Sequence, residues 1–123
     1  MSNIRIDNIA PSAGGTYRNA PRGIAAVWVN FDQATHTARN STNLSSLTDI
    51  GVGRTRVAFS NSMTAKDYVC LFQGTNVNNN NADCFPDLIT GSSTASQVEV
   101  QNYENAITYD FSFALVAVHG DLA

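Results

Sequence analysis

The stretch Arg54-Thr55-Arg56-Val57-Ala58-Phe59 places Thr55, Val57 and Phe59 on one side of an extended chain and Arg54, Arg56 and Ala58 on the other. That period of two belongs to a β-strand with one buried face, because successive side chains of a strand point to opposite sides of its sheet. Immediately upstream, Asp49-Ile50-Gly51-Val52-Gly53 supplies two glycines free to take positive φ, and Asn43-Leu44-Ser45-Ser46-Leu47-Thr48 precedes them. The pattern predicts a hairpin with a loop of four or five residues at Asp49–Gly53.

The same alternation recurs outward in both directions. Ile24-Ala25-Ala26-Val27-Trp28-Val29-Asn30-Phe31 is apolar at both parities until Asn30, which predicts a central strand covered on each side, with Trp28 as its core anchor. Asp32-Gln33-Ala34 reads as a turn and Thr35-His36-Thr37-Ala38-Arg39 as a short strand. Downstream, Asn61–Lys66 reads as a turn closing a second hairpin before Asp67-Tyr68-Val69-Cys70-Leu71-Phe72, whose Tyr68–Phe72 portion is expected in the core. Gln73-Gly74-Thr75 and the run from Asn76 to Asn81 are too polar and too rich in asparagine to hold a strand, and predict the most exposed loop. Ser96-Gln97-Val98-Glu99-Val100-Gln101 alternates as a solvent-flanked strand, and Phe111–His119 is a long final strand.

Helical spacing is nearly absent, so the fold class expected is all-β: a single antiparallel β-sandwich, jelly-roll-like, of roughly eight strands. It begins near residue 24 and runs to 123. Residues 1–23, rich in glycine and proline, are expected to form an extended N-terminal arm that anchors the chain or is exchanged between subunits, with Ile4, Ile6 and Ile9 as its contacts.

Composition narrows the partners. Hydrophobic residues make up 43% of the 123 and charged residues only 14%, below the ~25% usual for soluble domains. Asparagine, serine and threonine supply the polarity instead. With a net charge of −3 and Lys66 as the only lysine, the chain offers little to nucleic acid or to an anionic membrane. No apolar run reaches the ~20 residues of a membrane-spanning helix. Met1-Ser2-Asn3-Ile4-Arg5 lacks the basic start and apolar stretch of a secretory leader, so the chain is expected to be made in a cytoplasm. Cys70 and Cys84 are then expected as buried, reduced thiols.

Four segments taken in order bear on function. Ala26-Val27-Trp28-Val29-Asn30-Phe31 is followed by Asn43-Leu44-Ser45-Ser46-Leu47-Thr48-Asp49-Ile50-Gly51-Val52-Gly53, then by Thr55-Arg56-Val57-Ala58-Phe59 and Ser62-Met63-Thr64-Ala65-Lys66-Asp67-Tyr68. In order and spacing these resemble a β-domain of phage tail-fibre proteins: a W-V-N-F strand, an N-x-S-S-x-T-D-x-G-x-G strand and turn, an x-V-x-F strand and an M-x-x-x-x-Y segment. The resemblance covers roughly Ala26 to Leu71, with weaker similarity at Ile6-Asp7-Asn8-Ile9 and Gly14-Gly15. It departs where Asp32-Gln33 stands in place of a glycine and Arg54 in place of an acidic residue. It implies a virion component on the particle surface, a homotrimer, attached to other capsid or tail proteins and placed as a tail fibre, a receptor-binding piece or a head decoration.

Candidate chemistry is sparse. Catalysis through histidine would have to use His36 or His119, and neither has a supporting motif. Cys70 lies in an apolar strand, and Cys84 stands next to Asp83, so neither is placed as a low-pKa nucleophile. Glu99 and Glu104 are the only glutamates, which leaves little for paired-carboxylate hydrolysis. Asp83 and Asp87 with Asn78–Asn81 would be an oxygen-rich cluster for calcium, though without a recognised spacing. Gly51-Val52-Gly53 and Gly14-Gly15 stand before no helix and are read as turn glycines rather than phosphate loops. The expectation is a non-enzymatic protein with no cofactor. A host surface glycan is the alternative partner, met through Asn78, Asn79, Asn80 and Asn81 or through Tyr103 and Tyr109, the two tyrosines being read first as partly buried at a subunit contact.

Overall fold

The computed structural model describes Asn8–Ile9, Arg18–Asn19 and residues 25–75, 85–104 and 107–123. Of the expected arm, this includes β1 (Asn8–Ile9) and β2 (Arg18–Asn19), which pair antiparallel. The body comprises β3 (Val27–Asp32), β4 (Thr37–Thr42), β5 (Leu44–Gly51), β6 (Arg54–Phe59), β7 (Val69–Thr75), β8 (Phe85–Leu88), β9 (Gln97–Glu104), β10 (Ile107–Thr108) and β11 (Phe113–His119). Thr90–Ser92 forms one 3-10 turn, and the described residues contain no α-helix. The chain is an all-β sandwich.

One sheet has the order β4-β3-β11-β7, and the other β10-β9-β6-β5 with β8 also paired to β9. Hairpins β3–β4, β5–β6 and β9–β10 stay within a sheet, while the links between hairpins cross from one sheet to the other. The β4–β5 crossing takes a single residue, Asn43, at φ 56°. Asparagine tolerates this left-handed conformation because its short amide bonds locally. Here Nδ2 donates to the Ala26 and Asn61 carbonyls at 3.3 and 3.0 Å, and Oδ1 accepts from Asn61 N at 2.7 Å.

The two inner faces supply the core. Val27, Val29 and Phe31 of β3 and Ala114, Val116 and Val118 of β11 face Val57 and Phe59 of β6 and Val98 and Val100 of β9, with Met63 closing one end. Each fully buried Val or Phe side chain contributes about 1.5–3 kcal/mol, so this layer dominates the stability. Phe111, also buried, lies over β7 at Gly74, where a Cβ would overlap its ring. That close approach is why a glycine interrupts an otherwise regular strand.

Several expectations change. Trp28 is not the core anchor: β3 alternates buried and half-buried residues, and Trp28 falls on the outer parity while Val27, Val29 and Phe31 point inward. Residues 61–66 do not close a hairpin, because β6 pairs with β5 and β9 while β7 joins the opposite sheet beside β11. The Tyr68 hydroxyl holds this crossing against the second sheet, reaching the Gln97 carbonyl at 2.8 Å, and its ring meets Phe59 edge-on with centroids 6.0 Å apart. Nor is Tyr68–Phe72 uniformly core: Cys70 and Phe72 pack inward, whereas Val69 and Leu71 are 60% and 59% exposed. The β5–β6 loop is shorter than expected, because β5 continues to Gly51 and leaves only Val52-Gly53 as the turn. Gly53, at φ 71°, passes so close to the Tyr109 backbone that a Cβ would lie 2.9 Å from its N and O. Gln73-Gly74-Thr75 extends β7, and Phe85–Leu88 pairs with β9 as a strand that alternation did not reveal.

Candidate functional site: an exposed apolar sheet face

The β3–β4 turn shows how local sequence sets up the surroundings. Asp32 Oδ1 accepts from the amides of Ala34 and Thr35 at 3.0 and 3.3 Å, and His36 takes φ 52°. These two features close the turn in place of the glycine that the resemblance leads one to expect. Gln33 is thereby directed into the sandwich, fully buried, where its Oε1 accepts from Phe111 N at 3.0 Å and from Asn102 Nδ2. The turn, β9 and the lead into β11 are thus locked by one amide. His36 is not on a strand. Its side chain is 14% exposed, with Nε2 3.3 Å from Thr55 Oγ1 and 3.8 Å from Asp49 Oδ1, and it plugs the gap between the sheets.

On the outer side of the second sheet, Glu99 is 1% exposed, against the solvent-flanked strand expected there. Its Oε1 accepts from Arg54 and its Oε2 from Arg56 at 3.4 Å. The cross-strand register explains the grouping, since Arg56 stands directly opposite Glu99 and Arg54 opposite Gln101. One carboxylate shared by two guanidiniums is neutralised and held. It has no free oxygen facing a cleft, so the arrangement is structural rather than acid–base machinery.

Cys70 has a free thiol on the inward side of β7, and burial pushes its pKa up to about 11. A thiol so raised is a poor nucleophile near neutral pH. Among the described residues no three His, Cys, Asp or Glu side chains group as metal ligands. Asn78–Asn81, Asp83, Cys84, Ile4 and Ile6 lie outside the described residues, so the suggested calcium cluster and most of the arm contacts do too. Asp87 is in β8 opposite Gln101, and Ile9 stands opposite Arg18 in the β1–β2 pair. Tyr103 is within β9 opposite Thr108 of β10, and Tyr109 follows β10 at 39% exposure.

The feature that sequence reasoning passed over is the outer face of β3, β11 and β7. Register sets its residues in rows: Ala117 stands between Trp28 and Leu71, Leu115 between Asn30 and Gln73, and His119 opposite Val69. Beside the small Ala117, the side chains of Trp28, Leu71 and Leu115 border an open groove of about 540 Å³. Val69, Leu71, Phe113 and Leu115 are 40–60% exposed. The charge at this face is the Arg39 guanidinium, which stacks 4.4 Å from the Phe113 ring centroid and is paired with Asp32 at 3.2 Å. A signal for it was present in the sequence, since Val69–Phe72 and Phe113–Val118 are apolar at both parities. An exposed apolar face of this kind is the usual mark of an interaction surface. Its titratable side chains among the described residues are the Asp32–Arg39 pair at one edge and His119 at the end of β11. No family model, curated protein or solved structure matches the chain.

Proposed function

We propose that this protein is a non-enzymatic structural subunit of a tailed-phage particle, homotrimeric and displayed at the virion surface as a tail fibre, receptor-binding piece or head decoration. The observation that carries an assembly role over a catalytic one is the exposed apolar face of β3, β11 and β7. The resemblance of Ala26–Leu71 to the tail-fibre β-domain supports placing that assembly on a phage. The asparagine-, serine- and threonine-rich composition suits a subunit exposed to the medium, with residues 1–23 and Ile4, Ile6 and Ile9 joining it to neighbouring virion proteins. Host glycan recognition is a second role for the same subunit, favoured by the exposed ring of Tyr109.

Mass spectrometry and immunogold labelling of density-purified particles from the producing lysate test the reading. The protein is expected in stoichiometric amount with the particles, its copy number distinguishing a head from a tail position. Recovery only in the particle-free fraction overturns it.

A further inference from the structure

We infer that the outer face of β3, β11 and β7 is a contact between copies of this chain, with the Trp28–Leu71–Leu115 groove receiving apolar side chains of the neighbour. The inference builds on the assembly reading above and names the surface and its occupant.

Four observations select a second copy. The first is the pattern of the strands. A strand that is apolar at both parities is ordinarily covered on both faces, and β7 and β11 are such strands. Their inward residues, Cys70, Phe72, Ala114, Val116 and Val118, are covered by the other sheet of the same chain. Their outward residues, Val69, Leu71, Phe113 and Leu115, are not.

The second is charge. Arg39 is matched by Asp32 and by the Phe113 ring, and the other titratable side chain on this face is His119 at its end, so among the described residues no fixed charge is left unpaired on it. An acidic peptide, a nucleic acid or an anionic lipid finds no fixed counter-charge on it, while two identical faces meet without repulsion between fixed charges.

The third is size. Three strands at ~4.8 Å spacing and about seven residues at ~3.3 Å give a face of roughly 14 by 23 Å. That is a small contact, below the ~800 Å² per partner of a standard interface, so the copies are expected to come apart within the concentration range of the test below. The groove beside Ala117 gives the face a hole and Leu71 and Leu115 give it knobs, so one face carries both halves of a packing contact.

The fourth is the edge. β7 is the last strand of its sheet among the described residues, and it carries no lysine, proline or bulge to obstruct a neighbour. At the opposite edge the pairing of β4 with β3 shifts register between Asn30 and Phe31, and β4 displays Arg39 and Asn40. The contact is therefore biased toward the β7 side.

Sedimentation or light scattering of the full chain tests this at concentrations from about 1 to 100 µM. The wild type is expected at a multiple of its 13.2 kDa mass. Leu71→Glu and Leu115→Glu should each lower that mass at least two-fold while keeping the far-UV circular dichroism. Thr48→Glu, on the outer side of the second sheet opposite Arg56, should leave it unchanged. If the glutamate variants fail to fold, the unaltered protein still decides. Trp28 is the sole tryptophan and lines the groove, so its emission should shift to the red as dilution lowers the mass.

A monomeric wild type at 100 µM, variants that keep the assembled mass, or Trp28 emission that stays constant while the mass falls would each overturn the inference. So would a monomer that floats with phosphatidylcholine vesicles, which would assign the face to lipid. These failures are separable from failure of the virion placement: a monomer found on particles sinks the contact and the trimer but leaves the placement, and an oligomer absent from particles sinks only the placement.

Discussion

Glu99 shows how far a single residue can depart from its sequence pattern. In Gln97-Val98-Glu99-Val100-Gln101 it occupies a position indistinguishable from an exposed one, yet it is buried and shared between Arg54 and Arg56. The register that brings Arg56 opposite it is a property of β6 pairing with β9, some forty residues apart, and alternation along one strand cannot reveal it. Glu99→Ala leaves two guanidiniums without a partner in a region that excludes water from the carboxylate. Removing one member of a buried pair costs 3–5 kcal/mol; with both arginines about one-third exposed and able to turn outward, about 2–3 kcal/mol is expected, measured by urea denaturation. A loss under half a kcal/mol would mean that the cluster is incidental. Cys70 gives a pH-dependent counterpart. Burial raises its thiol to about 11 in the fold, above the ~8.5 of a free thiol, so folding favours the protonated form. The associated stability is intact below pH ~8.5 and is lost as the pH rises toward about 11. In a Cys84→Ser background, iodoacetamide should therefore label native Cys70 far more slowly at pH 8 than it labels the unfolded chain. Equal rates would contradict the burial. Tyr109, 39% exposed, is the one aromatic of the proposed glycan surface whose ring is described. If that role is correct, Tyr109→Ala should weaken adsorption to host cells about ten-fold without changing the fold, and unchanged adsorption would remove it.

At the scale of elements, the strands with one clearly apolar parity were legible: β6 lies where its alternation placed it, and β3, β9 and β11 are displaced by only a few residues at their ends. What could not be read was which sheet a strand joins. β7 follows β6 after a turn-like segment that looks like a hairpin loop, but Tyr68 is held by the Gln97 carbonyl and the chain crosses to the other sheet. Gly74 misled for a related reason: a glycine beside Gln73 and Thr75 resembles a loop until Phe111, a residue far along the chain, is found against it. That contact predicts a pair of effects. Gly74→Ala forces the new methyl into the Phe111 ring and should destabilise by about 1–3 kcal/mol, as overpacking does. Phe111→Leu makes space at the cost of lost contacts, so the double substitution should be less destabilising than the sum of the two singles by ~1 kcal/mol or more. Strict additivity in thermal unfolding would mean that the two residues do not share the space.

At the scale of the whole molecule, the two outer faces of the sandwich differ in kind, and this decides which of them can hold a neighbour. The second sheet turns Ser46, Thr48, Arg54, Arg56 and Glu99 outward, a polar surface on which two guanidiniums share one carboxylate. The first sheet turns Trp28, Leu71, Phe113 and Leu115 outward. A strand apolar at both parities states in the sequence that two covers are needed, but it does not say that one of them must come from another molecule. Trp28 looks like a core anchor for that reason, and in the proposed assembly it would be one at the contact between copies. An assembly made through this face owes little to charge, because Arg39 and Asp32 are paired at one edge and the centre is uncharged. Screening of exposed charges, which weakens polar interfaces as the Debye length falls from ~10 Å at 0.1 M salt to ~3 Å at 1 M, should leave the oligomer mass unchanged over that range. Sodium sulfate, which strengthens apolar burial by exclusion from the protein surface, should shift the dissociation curve to lower protein concentration. Dissociation by 1 M sodium chloride would show that ion pairs hold the copies together, and would move the contact from the β3–β11–β7 face to the charged side of the molecule.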